Sequence, residues 1–411
     1  MVTTIINHYN RQGNPVYAAS MNMSKAFDLV SWEMMFRTLQ DRKVDGLFLR
    51  LLLYIYVNQK CDVKWCGKYS VSFQVQNGVR QGAVSSGILF AVYIDKLISL
   101  LRNSGLGCHI HGVFYGILVF ADDIVLLSAS RCGLQQMVDL CQRFVSSHNL
   151  SFGTHVDPKR SKTKCLVFSK KRVNFEGLKC IKLNGNKLPW VESVKHLGHT
   201  LQSDNTMNID MAQKKGIFIG KVNSLLQEFG NISPNIILKL LNSSAMTFYG
   251  SNLWELFGKS ADKLYNSYNV AIRNTLKIDR CTHRFLIEPL SSSHHLKTLL
   301  ASKFVAFHES LITSTKMPVR FLARLVENDL RTVHGRNLRE IADQCYVGPN
   351  ISLLRPQLVK KPVKYKLPSN DEKWKVNMCK ELLKVRDDEM NIPGFSSEEQ
   401  AELLKYLCTS S

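Results

Sequence analysis

The stretch MNMSKAFD, residues 21–28, ends a run of small and apolar residues and leads into a turn. Residues 15–24 carry no charge, which is typical of a buried strand. Ser31 follows and is suited to cap a helix that begins directly after it. The sequence therefore predicts a strand, a turn and a helix, with the amide of Asn22 near the end of the strand.

The composition indicates a globular protein with a polyanionic partner. The 411 residues suffice for two or three domains, and 45% hydrophobic and 21% charged residues are ordinary values. The formal net charge of +21 is not ordinary and predicts binding to nucleic acid. The alternative is a basic protein without such a partner. The 11 scattered cysteines contain no Cys-x-x-Cys pair, so we expect reduced thiols rather than a zinc site.

No signal peptide opens the sequence, and no segment is suited to a membrane. The most apolar run, residues 47–57, is too short to span a bilayer and contains Arg50. We therefore expect a soluble protein, nuclear or cytoplasmic, with no membrane partner.

The hydrophobic pattern predicts an α+β unit over residues 1–200, a helical unit over 201–350, and a Pro/Lys-rich linker with C-terminal helices over 351–411. The linker itself is residues 354–368. In the first unit we expect helices over 44–57, 85–101 and 134–147, a strand over 165–168, and hairpins over 60–75 (turning at 67–68), 113–127 (turning at 121–123) and 178–201 (turning at 184–185). The helix over 85–101 is apolar on nearly every face, which predicts complete burial. In the second unit we expect helices over 212–228, 235–249, 261–278, 296–314 and 318–326.

Two adjacent carboxylates, Asp122 and Asp123, lie at a predicted hairpin turn between apolar arms. A hairpin with arms this apolar should present its tip into a cleft, where two like charges repel each other unless a cation lies between them. Hard oxygen ligands suit Mg²⁺. A two-metal phosphoryl transfer site needs a further carboxylate, and the strand that ends at Asn22 is the natural neighbour. The alternative is a solvated polar turn on the surface.

Two further stretches could contact a nucleotide. The loop GVRQG, residues 78–82, opens a helix, and Arg80 and Gln81 could touch phosphate or base edges. Lys162 and Lys164 lie in a basic loop before a strand and could bind phosphate or protonate a leaving group. The alternatives are a loop with a helix cap and a solvated run of charge.

These pieces occur in one order that resembles a known family. MNMSKAFD, GVRQG with LF, FADDIVLL and RSKTKCLVF resemble motifs A, B, C and D of reverse transcriptases. Lys-Ala-Phe-Asp combined with Phe-Ala-Asp-Asp looks like the non-LTR (LINE-type) retrotransposons. LPWVESVKHLG, residues 188–198, resembles their motif E, and THRFLIEPL, residues 282–290, resembles their thumb and downstream region. The resemblance covers nearly all of the chain, and it fits group II intron maturases and telomerase less well.

The resemblance implies a polymerase palm followed by a helical thumb. It also implies an RNA-directed DNA polymerase that uses two Mg²⁺ ions, dNTPs, an RNA template and a DNA primer. By this resemblance, Asp122 would be a metal ligand, and Asp123 would be the second catalytic carboxylate and a metal ligand. Phe27 would be the steric gate against the ribose 2′-hydroxyl, and the nucleotide and template site would be lined by Arg80, Gln81 and Gly82. Phe120 would pack under the primer end, and Lys162 or Lys164 would be the motif D lysine.

Departures from the family pattern predict impaired catalysis. Asn22 stands where the family has its first catalytic aspartate, and Asp28 matches a non-catalytic position and cannot replace it. Gly87 replaces a proline. The resemblance starts just before motif A, so we expect an N-terminally truncated element without fingers or endonuclease. The alternatives are an inactive remnant that binds nucleic acid through charge, and a decaying copy with an unstable product. The charges expected to carry that binding are Lys214, Lys215, Lys221, Arg172 and Lys179.

Overall fold

The computed structural model describes residues 1–155, 157, 160–170, 173–175, 177–287, 291, 294–345 and 354–360. The chain divides into two compact units, Met1–Thr206 and Met207–Ser411. The predicted C-terminal helices after residue 360 lie outside the described residues, as do most of the predicted linker and Arg172.

The first unit mixes helices with short antiparallel strands, which confirms the predicted α+β class. In chain order its elements are α1 (Val2–Arg11), β1 (Val16–Asn22), α2 (Trp32–Asp41), α3 (Gly46–Val57), β2 (Lys60–Cys61), β3 (Lys64–Trp65), β4 (Lys68–Tyr69), β5 (Phe73–Gln74), α4 (Ser86–Asn103), β6 (His109–Ile110), β7 (Val113–Phe114), β8 (Ile117–Phe120), β9 (Asp123–Ser128), α5 (Arg131–Ser147), β10 (Lys164–Phe168), β11 (Ile181–Leu183), β12 (Asn186–Leu188), β13 (Ser193–His196) and β14 (His199–Gln202).

A four-stranded antiparallel sheet in the order β10-β1-β9-β8 organises this unit. The uncharged run that predicted a buried strand is β1, and it lies in the interior of the sheet. Ser31 caps α2 as expected, because its side chain accepts a hydrogen bond from the backbone N–H of Met34. The order of strands places the end of β1 beside the turn between β8 and β9.

The core lies between one face of the sheet and helices α2, α4 and α5. Ala19 and Met21 point into it from β1, and Phe90 and Tyr93 enter it from α4. The apolar residues that recur at helical spacing along α5 are all 1% exposed or less: Leu134, Met137, Val138, Cys141 and Val145. The helical period therefore predicted the orientation of α5 correctly.

Three details of the hairpins and of α4 differ from the sequence prediction. The hairpin at 60–75 turns at Cys66-Gly67, one residue earlier than predicted, since both take left-handed φ angles of 47° and 79°, as a two-residue hairpin turn requires. The turn between β8 and β9 also contains two residues, Ala121 and Asp122, rather than three. Helix α4 is not buried all round, because only one side packs on the core and Ile88 on the other is 67% exposed.

Two predicted segments are interrupted. The predicted arm over 113–120 is two strands, since β7 pairs with β6 and only β8 pairs with β9. The segment 178–201 forms two hairpins: β11–β12 turns at residues 184–185 as predicted, and β13–β14 turns at residues 197–198. Pro189 separates them, because it has no N–H for a ladder and its carbonyl accepts from the N–H of Cys165 instead.

The second unit is helical, as predicted. Its core includes the fully buried aromatic side chains of Trp254, Tyr265 and Tyr268. Its elements are α6 (Asn208–Phe229), α7 (Pro234–Leu240), a π-helical turn (Leu241–Ala245), 3₁₀ turns (Ser251–Leu253 and Arg284–Leu286), α8 (Lys259–Leu276), α9 (Leu296–Ile312), α10 (Met317–Glu327), α11 (Val333–Gln344) and α12 (Pro356–Lys360).

The prediction of one helix over 235–249 was wrong, because α7 ends at Leu240 and widens into the π-helical turn. The hydroxyl groups of Ser243 and Ser244 both donate to the carbonyl of Leu240, which competes with the helical ladder. Helices α1 and α11 were not predicted, and α12 lies in the segment that was predicted as a linker. No helix among the described residues is long and apolar enough to cross a lipid bilayer.

Candidate active site

The register of the sheet brings Asn22, Asp122 and Asp123 together. Asn22 on β1 lies directly opposite Asp123 on β9, and Asp122 occupies the adjoining turn. The Nδ2 atom of Asn22 donates hydrogen bonds to Oδ2 of Asp122 at 3.1 Å and to Oδ1 of Asp123 at 3.0 Å. One neutral amide therefore contacts both carboxylates, which the sequence predicted to lie near the end of this strand.

Backbone contacts hold this arrangement in place. The N–H of Met23 donates to the carbonyl of Asp122 at 3.1 Å, and the N–H of Gly153 donates to the carbonyl of Asn22 at 2.9 Å. Ala121 has a left-handed φ of 51°, which costs about 1 kcal/mol for a residue with a Cβ. The strain lies beside the carboxylates, where the tight turn aims them at β1.

The GVRQG loop packs against the turn that follows β1. The N–H of Val79 donates to the carbonyl of Phe27 at 2.8 Å, and Nε2 of Gln81 donates to Oδ1 of Asp28 at 3.0 Å. Gly78 has a φ of 87°, and a Cβ there would lie 2.9 Å from two carbonyl oxygens of that turn. A glycine is required at this position for both reasons, and the two motifs form one surface.

The predicted substrate-contact residues differ in how accessible they are. Phe27 is half-buried and stacks on Phe90 with 4.9 Å between the ring centroids. Phe120 is 66% exposed at the end of β8. Arg80 and Gly82 are exposed, and the space around Gly82 is open. Phe27 is thus held rigidly, whereas Phe120 and the loop remain accessible to a ligand.

The two candidate lysines approach from the opposite edge of the sheet. Lys164 on β10 lies opposite Ser20, which is two residues before Asn22 on β1. The side chains of Lys164 and Asn22 therefore project from the same face of the sheet. Exposed Lys162 packs its aliphatic stem close to Gly153, whose backbone is bonded to Asn22. Both lysines are therefore near the end of β1, and the fold does not separate them as candidates.

A histidine that the sequence analysis did not select lies near this site. His196 ends β13 in the segment that resembles motif E and pairs with His199 across the turn. Burial lowers the pKa of His196, and the negative charge of Asp123 opposes that shift by raising it. The HLGH pattern marks a hairpin tip, but only the tertiary structure brings His196 within electrostatic range of Asp123.

The donor set suits a divalent cation only in part. Asp122 and Asp123 present hard oxygen atoms of the kind that Mg²⁺ prefers. No cluster of three or more His, Cys, Asp or Glu side chains with metal-site geometry occurs in the described part of the chain. Asn22 directs N–H groups at the same carboxylates, so its carbonyl oxygen must turn inward before it can act as a ligand. The two carboxylates fit a cation, and the third ligand is weak.

Residues 2–201 match the family model described as "Reverse transcriptase (RNA-dependent DNA polymerase)". Enzymes of this family copy nucleic-acid templates and generally use divalent metal ions. The matched range contains Asn22, Asp122 and Asp123 and ends in β14.

Curated relatives indicate which type of reverse transcriptase this region resembles. The chain is 30% identical over 146 residues to the "Retrovirus-related Pol polyprotein from type-2 retrotransposable element R2DM" of Drosophila melanogaster, which covers 36% of this chain and 14% of that protein. It is 27% identical over 205 residues to the "Retrovirus-related Pol polyprotein from type-1 retrotransposable element R2" of Nasonia vitripennis, covering 49% of this chain and 19% of that protein. The matches thus span less than a fifth of either relative's length.

Among solved structures, apo telomerase from Candida tropicalis shows 11% identity over 78% of this chain and 55% of that chain, with a TM-score of 0.39. A likeness this weak has no bearing on function. The family match and the curated relatives establish that residues 2–201 of the chain are a reverse transcriptase domain of the non-LTR retrotransposon type.

Proposed function

We propose that this domain is an RNA-directed DNA polymerase in which Asp122 and Asp123 hold Mg²⁺ for two-metal nucleotidyl transfer, and in which Asn22 impairs catalysis. The contact that supports the impairment is the amide of Asn22, which donates to both carboxylates at 3.1 and 3.0 Å. Hydrogen bonds from a neutral amide satisfy carboxylate oxygens that would otherwise attract cations. The predicted partners are an RNA template, a DNA primer and dNTPs.

Bound divalent ions would activate the primer 3′-hydroxyl and stabilise the developing charge on the pyrophosphate. The chain's own residues would do the remaining work. Half-buried Phe27, stacked on Phe90, would form a rigid wall against a 2′-hydroxyl. Exposed Phe120 and Gly82 would contact the primer end and the base pair, and Lys162 or Lys164 would supply a proton to the leaving group.

Arg80 and Gln81 have different roles in this proposal. Gln81 already donates to Asp28, so it acts by holding the loop against the turn after β1. The exposed guanidinium of Arg80 is the group able to meet a phosphate. We further propose that residues 1–200 are the palm, 201–350 the thumb and 351–411 a linker with C-terminal helices.

Primer extension tests the proposal. The chain, its Asn22→Asp variant and an Asp122→Ala control would be compared on a primed RNA template with Mg²⁺ and then with Mn²⁺. The loss of one metal carboxylate corresponds to roughly three orders of magnitude in rate, so Asn22→Asp should extend the primer at least several hundred times faster. Equal rates for the native chain and Asn22→Asp would refute the impairment, whereas extension by Asp122→Ala would refute the metal site.

A second candidate function is nucleic-acid binding without catalysis, which the net charge of +21 favours. Among the cations expected to carry it, Lys214 lies over the ring of Tyr249 at 5.8 Å, and Lys221 donates to the carbonyl of Ser244. Lys221 is therefore partly engaged within the second unit, and Lys215 and Lys179 are better candidates for phosphate contacts. Affinity for RNA that does not fall as salt rises would contradict this candidate.

A further inference from the structure

A hairpin outside the candidate active site exposes aromatic side chains next to lysines. The Trp65 hairpin, residues 60–74, consists of two short ladders, β2–β5 and β3–β4, closed by the turn at residues 66–67. Ser70 links the ladders, because its hydroxyl accepts from the N–H of Val63 and its own N–H donates to the carbonyl of Val63. Backbone hydrogen bonds and the turn therefore hold the hairpin together.

The side chains of this hairpin do not contribute to the core. Every residue from 62 to 74 is exposed, and Trp65, Tyr69 and Phe73 are 79%, 66% and 51% exposed. Large aromatic side chains are normally buried because each removes a large apolar area from water. Their exposure on an ordered hairpin is typical of a surface that binds something.

Cations are interleaved with these rings. Trp65 lies opposite Lys68, and Tyr69 lies opposite Lys64. The Nζ atom of Lys64 lies 5.2 Å from the centre of the Tyr69 ring. The acidic residue of this segment, Asp62, accepts a hydrogen bond from Ser72, and no ion pair occupies Lys60, Lys64 or Lys68 within the described residues. Trp65 and Lys68 therefore lie on one side of the β3–β4 ladder, and Tyr69 and Lys64 lie on the other. Each side presents one aromatic ring and one positive charge.

We propose that the Trp65 hairpin binds single-stranded nucleic acid, with bases stacked on Trp65 and Tyr69 and phosphates held by Lys64 and Lys68. The inference rests on the proposed function only in that nucleic acid is the ligand. Stacking needs unpaired bases, so a duplex with no free base faces cannot use the rings. An apolar protein surface would use the rings but would leave the lysines without partners.

Binding of a labelled 12-nucleotide RNA of mixed sequence to the full chain, without dNTPs or divalent ions, tests the aromatic part. The variant Trp65→Leu/Tyr69→Leu keeps apolar bulk and removes both π-faces. We expect its Kd to rise at least tenfold, because stacking is worth about a factor of ten per base. Val71→Ala is the matched control: Val71 is 90% exposed on the same hairpin, and its loss should change Kd less than twofold.

The charged part has its own pair of variants. Lys64→Gln/Lys68→Gln should lower the slope of log Kd against log salt by about 1.4, which is about 0.7 for each of two phosphates on a single strand. Lys182→Gln/Lys187→Gln removes a cross-strand pair of exposed lysines from β11–β12, which has no aromatic side chains. We expect a smaller change in slope for this control pair.

Single-stranded DNA of the same sequence should show the same losses, since every base has a π-face. An unchanged Kd for Trp65→Leu/Tyr69→Leu would overturn the proposal. The proposal would also be overturned if this variant weakened only the binding of duplex RNA, or if it weakened self-association of the chain and not RNA binding. Failure of primer extension leaves this test unaffected, because no nucleotide is incorporated in it. The two proposals can therefore fail separately.

Discussion

Replacing Asn22 by aspartate should destabilise the fold when no divalent cation is present. The amide that donates to both carboxylates becomes a third negative charge within about 4 Å of them after relaxation. At an effective dielectric constant of about 40, each pair then repels by about 2 kcal/mol. The half-buried position lets solvent and protonation reduce the total, so we expect a net loss of about 3 kcal/mol.

Thermal unfolding in EDTA at pH 7.5 measures this loss. For a unit of about 200 residues, 3 kcal/mol corresponds to a Tm lower by roughly 6–12 °C. Asn22→Ala removes the hydrogen bonds without adding charge and should lower Tm by less. The double variant Asn22→Asp/Asp123→Asn keeps two carboxylates and one amide, so it should melt close to the native chain. An Asn22→Asp variant that melts at the native temperature would refute the assigned role of the amide.

Three further predictions, made with four substitutions, test other parts of the structure. Ala121→Gly should raise the free energy of unfolding by about 0.5–1 kcal/mol in denaturant melts, since it relieves a left-handed φ of 51°. Gly78→Ala should cost about 3 kcal/mol because its Cβ would meet the carbonyl of Asp28, whereas Gly82→Ala, at φ 86° but in open space, should cost only about 1 kcal/mol. Burial lowers the pKa of His334 to about 3, so the fold keeps this side chain neutral and is most stable above pH 6.5. As pH falls from 6.5 towards 3, the unfolded chain takes up a proton that buried His334 does not, and about 4 kcal/mol of the free energy of unfolding should be lost. Melts across pH should show a flatter dependence for His334→Gln.

Local patterns predicted the elements of the site better than their contacts. The uncharged run of β1 and the period of α5 were sufficient to locate both, because each buries one continuous apolar face. The neighbourhood of Asn22 and the two aspartates was predicted because a two-metal site needs a further ligand from another element, and the strand that ends at Asn22 was the natural neighbour. The hydrogen bonds from Nδ2 of Asn22 to both carboxylates depend on a register that only the assembled sheet defines.

Features set by tertiary contacts escaped the sequence analysis. Helix α1 buries Ile5 and Ile6, and its Tyr9 donates to the carbonyl of His109, a partner 100 residues away. The link between Gln81 and Asp28 likewise joins two motifs across 53 residues. In the π-helical turn after α7, two serine hydroxyl groups donate to the carbonyl of Leu240 and compete with the helical ladder, which a pattern of hydrophobic residues does not report.

We propose that the amide of Asn22 occupies the two carboxylates that would otherwise hold cations. Titration with Mn²⁺, followed by electron paramagnetic resonance of the free ion, tests it directly on the native chain, Asn22→Asp and Asp122→Ala. We expect at least tenfold tighter Mn²⁺ binding by Asn22→Asp than by the native chain, and no such site in Asp122→Ala. Binding by the native chain that is as tight as that of Asn22→Asp would contradict it.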